Sequence, residues 1–441
     1  GGAPEQAFRT ITKALAVARD GDQIHVAAGD YTRASGEVFP LTLAGRTGVW
    51  LLGTNRAATV IDARAASASE DQRVMTIQDS QDIRVEGMTL TGGREPPVTV
   101  KEAPAYGGGV LLSRSIGIAF ADCTVSNNAI RAGTLFQNSY GGGIAAVDSV
   151  AVLDSCAVRE NWAIRYWGGG GSTCGGGVCV VQGEMTVRDS VIAFNEARVG
   201  TSFQYGAGLY SSGSLVMRNC LVYGNDKTMS LGTGGGLYVS GNTSIEHCTV
   251  ANNIGAGLSR GGGAVTVLNS IFRGNMGDIG GTVTLRWSNT EDGLNVGNDG
   301  CISADPLFER VFYLMPASPC VDAGSGTAAD WSLDKRTTRT DGANDAGTAD
   351  MGYHYAGGFD FGGADLYVAP DGDDANGGAA PEQALRTLTK ALAAAREGGR
   401  IHVAAGPYTR ESGERFPLAI SRMADVRILG TNRAATVIDA G

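Results

Sequence analysis

The residues best suited to hold a cation are three aspartates in one short segment. Asp371, Asp373 and Asp374 lie within DGDDAN, which is dense in the oxygen ligands that Ca²⁺ prefers. The segment lacks the downstream Glu that completes an EF-hand loop. We interpret it as a polar turn, with Ca²⁺ binding as the alternative, and expect no other cofactor.

Cleavage of a polysaccharide would need a different arrangement of acids. Inverting hydrolases use two carboxylates about 6.5–9.5 Å apart, and a lyase would combine acids that hold Ca²⁺ with a basic proton acceptor. Acids at outward positions of this chain, such as Glu160 and Glu184, are isolated, and no Asp pair recurs at matching positions of neighbouring repeats. We therefore predict no catalytic residues and expect the chain not to be an enzyme.

Aromatic residues form a further group of candidates. They lie in segments of variable length between repeated motifs, at Phe136, Tyr140, Tyr166, Trp167, Phe203 and Tyr205. Exposed aromatic rings can stack on sugar rings or contact a neighbouring chain. If the repeats stack in order, these segments form one lateral surface that binds glycans or another chain. The alternative is that the rings pack on each other.

One asparagine recurs in each of six related motifs. DCTVSNN, SCAVREN and four similar motifs place Cys or Ser five residues before the Asn, and each motif follows a glycine cluster and a short strand-like run. Stacking the repeats in parallel at about 4.8 Å would bring the side-chain amides into one ladder. The ladder residues are Asn128, Asn161, Asn195, Asn225, Asn253 and Asn275, at spacings of 22 to 34 residues.

Composition supports many short strands and excludes several partners. The 441 residues include 67 Gly, and the net charge is −10 without a run of Lys or Arg, which disfavours nucleic acid. No apolar run approaches the roughly 20 residues that span a membrane. The eight cysteines lack metal-site spacing. We expect mostly free thiols, with Cys123–Cys156, Cys174–Cys179 and Cys301–Cys320 as possible disulfides.

The opening of the chain occurs twice. LGTNRAATVIDA stands at residues 52–63 and 429–440, and the similarity extends back to Pro4 and Pro381 at an offset of 377 residues. Apolar residues at helical spacing after Pro4 predict an amphipathic helix that covers the open end of the coils. We expect a unit at 1–356, with cap 4–30, coils 40–300 and closing segment 301–356. Residues 357–441 are then a linker and the opening of a further unit, as in a tandem array.

These motifs resemble right-handed parallel β-helix proteins of the pectate-lyase-like superfamily, and in particular its bacterial surface branch. ALRTLTKALAAAREGGRIHVAAGPYT is similar to the capping helix and first strand of that branch, and DPLF, SPCVDAG and DMGYHY to its closing segment. The resemblance implies an all-β parallel solenoid with an N-terminal capping helix. It does not imply one activity, because the superfamily contains lyases, hydrolases, adhesins and scaffolds.

The repeats and the lack of paired acids favour a structural role. We expect an extracellular or cell-surface protein whose units associate head to tail, and also laterally, into a fibre or stalk. The alternative is a carbohydrate-binding adhesin that uses the lateral aromatic residues. A polysaccharide lyase or hydrolase is the third interpretation.

Overall fold

The computed structural model describes residues 3–67, 71–94, 104–132, 138–165, 171–199, 204–227, 232–356, 365–395, 399–419, 426–431 and 435–440. The chain divides into two compact units. The first unit contains residues 1–304, 322–327 and 347–354, and the second contains residues 305–321, 328–346 and 355–441.

The first unit is a stack of parallel coils. Its longest sheet has 17 strands: Gln23–Val26, Leu41–Ala44, Trp50–Gly53, Met75–Gln78, Arg84–Glu86, Val110–Ser113, Ile118–Ala121, Ile144–Asp154, Val178–Arg188, Leu209–Ser211, Ser214–Arg218, Leu237–Val239, Thr243–Glu246, Leu258–Arg260, Val265–Leu268, Ile279–Gly280 and Thr284–Arg286. A ten-stranded sheet completes each coil: Gly29–Thr32, Thr59–Asp62, Thr89–Thr91, Thr124–Ser126, Ala157–Arg159, Val191–Ala193, Leu221–Tyr223, Thr249–Ala251, Ile271–Arg273 and Asn289–Thr290.

Alternating apolar residues fill the interior of the coils. Val110 and Leu112 are fully buried and lie in register with Ile144 and Ala146 of the next coil. Side chains of a strand point alternately to its two faces, so one face of every short strand contributes to the same continuous core. The predicted all-β parallel solenoid is confirmed.

The six asparagines form one column of hydrogen bonds. The Oδ1 atom of Asn195 accepts bonds from the backbone N–H and the Nδ2 of Asn161, at 3.1 and 3.0 Å. Its Nδ2 donates to the carbonyl of Val158 at 2.9 Å and to Oδ1 of Asn225 at 3.0 Å. The same pattern joins the other members at amide–amide distances of 3.0–3.1 Å, from Asn128 to Asn275.

The left-handed corner lies one residue before each ladder asparagine. The residues there have φ between 52° and 66°: Asn127, Glu160, Phe194, Gly224, Asn252 and Gly274. The ladder asparagine itself does not adopt this conformation. It points its amide into the core, where the amides of neighbouring coils form hydrogen bonds with it.

All eight cysteines are buried free thiols. The Cys156 thiol donates to the Phe120 carbonyl at 3.4 Å, and burial raises its pKa well above the usual value. The cysteines therefore pack in the interior as small apolar side chains.

The opening helix is shorter than its apolar pattern predicts. It spans Ile11–Val17 after a 3₁₀ turn at Pro4–Gln6, and it buries Ile11 and Leu15. The Thr10 hydroxyl accepts from the Lys13 backbone N–H at 3.1 Å. The Glu37 carboxylate accepts from the backbone N–H groups of Ile11 and Thr12 at 2.6 and 2.8 Å. These two side chains satisfy donors that a helix N-terminus otherwise leaves unpaired.

Part of the closing segment lies along the outer face of the ten-stranded sheet. The backbone N–H of His354 donates to Oδ1 of Asn219 at 2.6 Å, and that of Tyr353 donates to Oγ1 of Thr249 at 3.0 Å. The His354 ring meets the buried His247 ring at 5.4 Å. Burial, followed by the charge of His354, lowers the pKa of His247 to about 3.

The second unit repeats the opening. It contains a 3₁₀ turn at Pro381–Gln383 and a helix at Leu388–Ala394. Parallel pairing joins Asp365–Val368, Arg400–Val403 and Arg427–Gly430, and also Gly406–Thr409 with Thr436–Asp439. Two antiparallel pairs precede them: Phe308–Glu309 with Tyr313–Leu314, and Arg336–Thr337 with Tyr355–Ala356. Among the described residues, neither α-helix has the length or apolarity needed to cross a bilayer.

Replacing Asn195 by Ala should destabilise the first unit strongly. The change leaves the buried backbone N–H of Asn161 without its acceptor. It also removes one hydrogen bond each from the Asn161 Nδ2, the Val158 carbonyl and the Asn225 Oδ1. We expect a loss of about 3 kcal/mol or more in the free energy of unfolding, measured by urea denaturation. Asn298→Ala, at an exposed site, is the matched control. An equal effect of the two substitutions would contradict a stabilising role for the column.

His247 should make stability fall in acid. Its pKa is about 3 in the folded chain against a reference value of 6.5, so the unfolded chain binds the proton first as the pH falls. We expect a loss of about 1.4 kcal/mol per pH unit below pH 6.5, down to the folded pKa. His247→Asn keeps a residue that tolerates the φ of 50° and removes this slope. Urea denaturation at pH 7 and at pH 4.5 gives the free energy of unfolding of both proteins. An equal loss between the two pH values in both proteins would refute the role of His247.

Candidate functional site

A lateral flange emerges from the coils after the ladder asparagines. The chain runs outward in a four-stranded parallel sheet: Ala129–Ala132, Trp162–Arg165, Glu196–Val199 and Asp226–Lys227. It returns in a five-stranded sheet: Ala105–Tyr106, Ser139–Tyr140, Thr173–Cys174, Gln204–Tyr205 and Gly232–Thr233. Ala105, Ile130 and Ala163 are fully buried together between the two sheets.

Glycine makes the sharp corner at which each return strand enters the long sheet. Gly141 has φ of 74°, and a Cβ there would lie 2.3 Å from the Ile144 carbonyl oxygen. At Gly206, with φ of 53°, the corresponding distance to the Leu209 carbonyl oxygen is 2.1 Å. Only glycine fits such a corner. On the outer side of the coil, the corner brings the residue directly before the glycine close to the residue four positions after the glycine, as it does for Tyr205 and Tyr210 around Gly206.

Five tyrosines line this corner over successive coils, and we call the surface they form the tyrosine groove. Tyr106 and Tyr140 are aligned in the return sheet, and their rings stack at 5.1 Å. Tyr210 and Tyr238 are aligned in the long sheet, with rings parallel at 5.6 Å. The Tyr205 ring meets those of Tyr210 and Tyr238 at 6.4 and 4.6 Å. All five side chains are half-buried, so part of each ring faces solvent.

A coil with small side chains lies in the middle of the groove. Cys174 is aligned with Tyr140 and Tyr205, and Cys179 with Tyr210. The rings of Tyr140 and Tyr210 come within 6.5 Å of each other although their strands are two coils apart. They therefore lean over the cysteine coil. The resulting burial, followed by the cysteine charges, raises the pKa of both phenols well above the usual value.

Exposed charged residues lie on the same outer side of the long sheet. Arg114 donates to both carboxylate oxygens of Asp79, at 2.7 and 2.9 Å, and this pairing lowers the pKa of Asp79. Asp148 occupies the equivalent turn in the next coil, with φ of 49° against 48° at Arg114. The pKa of Arg114 is raised mainly by its hydrogen bond to Asp79, and the charge of Asp148 adds to this effect. The pKa of Tyr106 is raised mainly by burial, and the charge of Asp148 again adds to it. We call Asp79, Arg114 and Asp148 the acid–arginine row.

Two carboxylates also align on the outgoing sheet, which the sequence did not reveal. Glu196 and Asp226 are register partners on adjacent coils, and each directly follows a ladder asparagine. Trp162 lies next to Glu196 in the preceding coil and carries the Arg94 guanidinium 5.9 Å from its ring centre. Glu196 is only 4% exposed and forms an ion pair with Arg198. This pair is thus less accessible to a polymer than the acid–arginine row.

Two of the six predicted aromatic residues lie in the tyrosine groove. Tyr140 and Tyr205 share one column of the return sheet. Phe136, Tyr166, Trp167 and Phe203 lie outside the described residues. Sequence reasoning missed Tyr106, Tyr210 and Tyr238. The sequence signal for them is a tyrosine directly before or shortly after a glycine-rich corner, as in YGAGLY at residues 205–210.

The predicted calcium candidate has a structural role in the second unit. The Asp374 carboxylate accepts hydrogen bonds from the backbone N–H groups of Arg386 and Thr387, both at 2.9 Å, and from the Thr387 hydroxyl at 2.8 Å. Asp373 accepts from the Ala375 backbone N–H at 3.0 Å. Asp371, in the same turn, is exposed. These contacts hold the turn against the helix that follows it.

Two family models match the chain. The model described as right handed beta helix region matches residues 108–300. The model described as protein of unknown function (DUF1565) matches residues 1–155 and 370–434, and thus both copies of the opening. No curated protein matches the chain.

Solved structures that the chain resembles include a pectate lyase, an alginate lyase and a mannuronan C-5 epimerase. Pectate lyase Pel9A is 12% identical with a TM-score of 0.49, over 79% of this chain and 93% of that one. The PL6 family alginate lyase AlyGC is 12% identical with a TM-score of 0.25, over 97% and 66% of the two chains. The A-module of the Azotobacter vinelandii mannuronan C-5 epimerase AlgE4 is 14% identical with a TM-score of 0.23, over 60% and 89%.

These structures contradict the expectation that the chain is not an enzyme, because those similar to it are lyases, an epimerase and also a pectin methylesterase. The expectation rested on the lack of paired acids in the sequence. That argument fails because acids of adjacent coils do align, as at Glu196 and Asp226, which each directly follow a ladder asparagine. At 12–14% identity the comparison shows the fold and not a particular reaction.

Gly206→Ala should disturb the groove more than its backbone angle alone explains. A non-glycine residue at positive φ costs about 1–3 kcal/mol, and here the new Cβ would also meet the Leu209 carbonyl oxygen. Gly297→Ala is the control, because φ is 78° and no atom lies within 4 Å of the added Cβ. We expect a clearly larger fall in melting temperature for Gly206→Ala. Equal falls would mean that the corner relaxes without cost.

Proposed function

Because the chain has the right-handed parallel β-helix fold of the pectate-lyase-like type, we propose that it is a carbohydrate-active protein that binds and processes an extended polysaccharide along the tyrosine groove. The observation that carries the proposal is the alignment of five half-buried tyrosines along the coil axis. Aromatic rings offer apolar faces to sugar rings and a hydroxyl to their polar edges.

The spacing of the coils supports an extended ligand. Successive coils rise by about 4.8 Å, which is close to the length of one sugar unit in an extended polymer. Tyrosines contributed by successive coils therefore present repeated contacts to a repeating ligand. A small isolated sugar would use only one or two of them.

The phenols of the groove stay neutral under ordinary conditions. Burial raises the pKa values of Tyr106, Tyr140, Tyr205 and Tyr210, so their hydroxyl groups remain protonated at neutral pH. A protonated phenol both donates and accepts a hydrogen bond, as a sugar hydroxyl does. This surface suits hydroxyl-rich ligands and does not require them to be charged.

The acid–arginine row supplies groups that can transfer protons. Asp148 stands three residues after Ala145, which is in register with Cys179 in the middle of the groove, and it therefore lies about 10 Å along the strand from that position. A polymer that leaves the groove and follows this strand would bring its hydroxyl groups or ring protons to Asp148 and Arg114. We assign Asp148 the role of proton acceptor or donor and Arg114 that of orienting an oxygen of the substrate.

The repeated opening supports a second proposal, in which units act in series as a fibre. The Thr387 and Glu414 side chains make the same hydrogen bonds to the second opening helix as Thr10 and Glu37 make to the first. The same opening, with the same helix-capping hydrogen bonds, thus recurs in one polypeptide. As a carbohydrate-active protein it would act outside the cell. Negative-stain images of the native protein test the fibre, and short particles only would oppose it.

Tyr210→Ala with Tyr238→Ala should weaken polysaccharide binding. Each lost stacking contact is worth about 0.5–1.5 kcal/mol, so the double variant should bind at least about fivefold more weakly in affinity electrophoresis against neutral and uronate polymers. Trp50→Ala removes an exposed aromatic ring on another strand of the same unit and should leave binding unchanged. Unchanged binding in the double variant would refute the proposal that the tyrosine groove binds polysaccharide.

Asp148→Asn should abolish processing while binding remains. Loss of a proton-transferring group typically costs 10²–10⁴-fold in rate, so product formation should fall about a hundredfold or more. Products are followed as new reducing ends, unsaturated sugars or altered sugar configuration by NMR. Asp341→Asn, an exposed acid elsewhere in the chain, is the control. Binding without any product from the unmodified protein would refute the enzymatic part of the proposal.

A further inference from the structure

The return sheet of the flange has the strand Ala105–Tyr106 at one edge. This strand lies outermost in the five-stranded order, and it pairs with Ser139–Tyr140 of the next coil. Among the described residues, no strand pairs with its other edge. The wall of the groove that carries Tyr106 and Tyr140 therefore begins at this coil, and Tyr106 is its first ring.

Backbone hydrogen bonds join the glycine corners of neighbouring coils. The N–H groups of Gly107 and Gly108 donate to the carbonyls of Tyr140 and Gly141, at 2.9 and 3.0 Å. The same pairing recurs one coil further on. In the edge coil, the corresponding carbonyls are those of Tyr106 and Gly107, and their hydrogen bonds must come from a different donor.

An arginine side chain makes these bonds in the edge coil. The Nε of Arg73 donates to the Gly107 carbonyl at 3.2 Å, and its Nη2 donates to the Tyr106 carbonyl at 3.0 Å. The N–H groups of a guanidinium lie in one plane at fixed angles, so one side chain can bond to two successive carbonyls. Arg73 thus supplies with its side chain the bonds that a neighbouring coil supplies with its backbone.

The register of the coils shows which position Arg73 occupies. Met75 is aligned with Val110, so Arg73 lies one coil before Gly108 at the same place in the corner. At Gly108, an added Cβ would lie 2.4 Å from the carbonyl carbon of Ala129. Glycine is therefore required where the flange continues, whereas the coil before it carries a side chain at this position.

The bonds from Arg73 fix the backbone from which the Tyr106 ring projects. The ring stacks on that of Tyr140 at 5.1 Å, with 15° between the two planes. Tyr140 has a return strand on each side, whereas Tyr106 has a strand on one side and Arg73 on the other. The order of the first ring therefore depends on Arg73, and the order of the second ring depends on its neighbouring strands.

We propose that Arg73 is a positioning residue of the tyrosine groove, which holds Tyr106 in the ring stack and so completes a sugar-binding position at this end. The inference rests on the proposed binding of polysaccharide along the groove. Arg73 acts through Tyr106 and needs no contact with the sugar. Without Arg73, a ligand that reaches this position has to order the ring as it binds, which lowers its affinity.

Fluorine NMR tests the positioning directly. 3-Fluorotyrosine is placed at position 106 of the full chain, alone and together with Arg73→Ala or Arg73→Lys. We expect Arg73→Ala to shift the fluorine resonance because the ring leaves the stack, and Arg73→Lys to shift it less because an ammonium retains a donor. Arg84→Ala removes an arginine that pairs with Glu86 in the same unit, and it is the control. An unchanged resonance in Arg73→Ala would overturn the proposal.

Oligosaccharides of graded length test the consequence for binding. Cello-oligosaccharides and oligogalacturonates are the probes, and calorimetry gives the dissociation constant at each length. Short oligosaccharides can bind at the other tyrosines, so Arg73→Ala should leave their affinity unchanged. Those long enough to reach Tyr106 should bind about two- to tenfold more weakly, which corresponds to one aromatic contact. Arg73→Lys should restore part of this loss.

The two measurements separate the possible failures. An equal loss of affinity at every length would mean that Arg73 only supports the fold, and it would overturn the proposal. If the unmodified chain binds neither kind of oligosaccharide, the result counts against the proposed function, and the fluorine resonance alone decides whether Arg73 orients Tyr106. If Arg73→Ala does not fold, Arg73→Lys provides the same comparisons.

Discussion

The column of asparagine amides fixes the register of six successive coils, from the coil of Asn128 to that of Asn275. Backbone hydrogen bonds between parallel strands resist sliding along the axis, but short strands of three or four residues resist a slip in register poorly. The side-chain amide of each buried asparagine donates to a backbone carbonyl of the preceding coil and to the asparagine side chain of the next coil, as Asn195 does to Val158 and Asn225. A slip of one residue would break several buried polar bonds together, which is far more costly than losing a surface contact. The alignment of the outward residues on these six coils depends on this constraint.

Aligned outward positions turn a repetitive core into a specific surface. The glycine corner sets the angle between the return strand and the long sheet, and residues on both sides of it fall into continuous columns. The tyrosine groove therefore needs no long-range folding of separate segments. Each coil adds its own one or two side chains, and the rise between coils sets their spacing. Binding surface and scaffold share the same repeat.

The sequence predicted the coils, the amide column and the opening because these features depend on local patterns. Cys or Ser five residues before Asn identified every ladder residue, and apolar spacing identified the opening helix. The groove was only partly predicted. Tyr140 and Tyr205 were recognised as lateral, but Tyr210 and Tyr238 were hidden in strands that read as ordinary β-structure. The Glu196–Asp226 alignment was missed although each acid directly follows a ladder asparagine, because the search for paired acids considered only the outward positions of the coils.

The length of the coils has a consequence for how such a surface can change. Consecutive ladder residues are separated by as many as 34 and as few as 22 residues, yet their amides stay 3.0–3.1 Å apart. Extra residues leave the stack on one side, through the flange, and return to it at the next glycine corner. Insertions and deletions there alter the rim of the groove without shifting any interior contact. The lateral wall can thus diversify by changes in length alone, while the helical shaft beside it keeps a constant pitch.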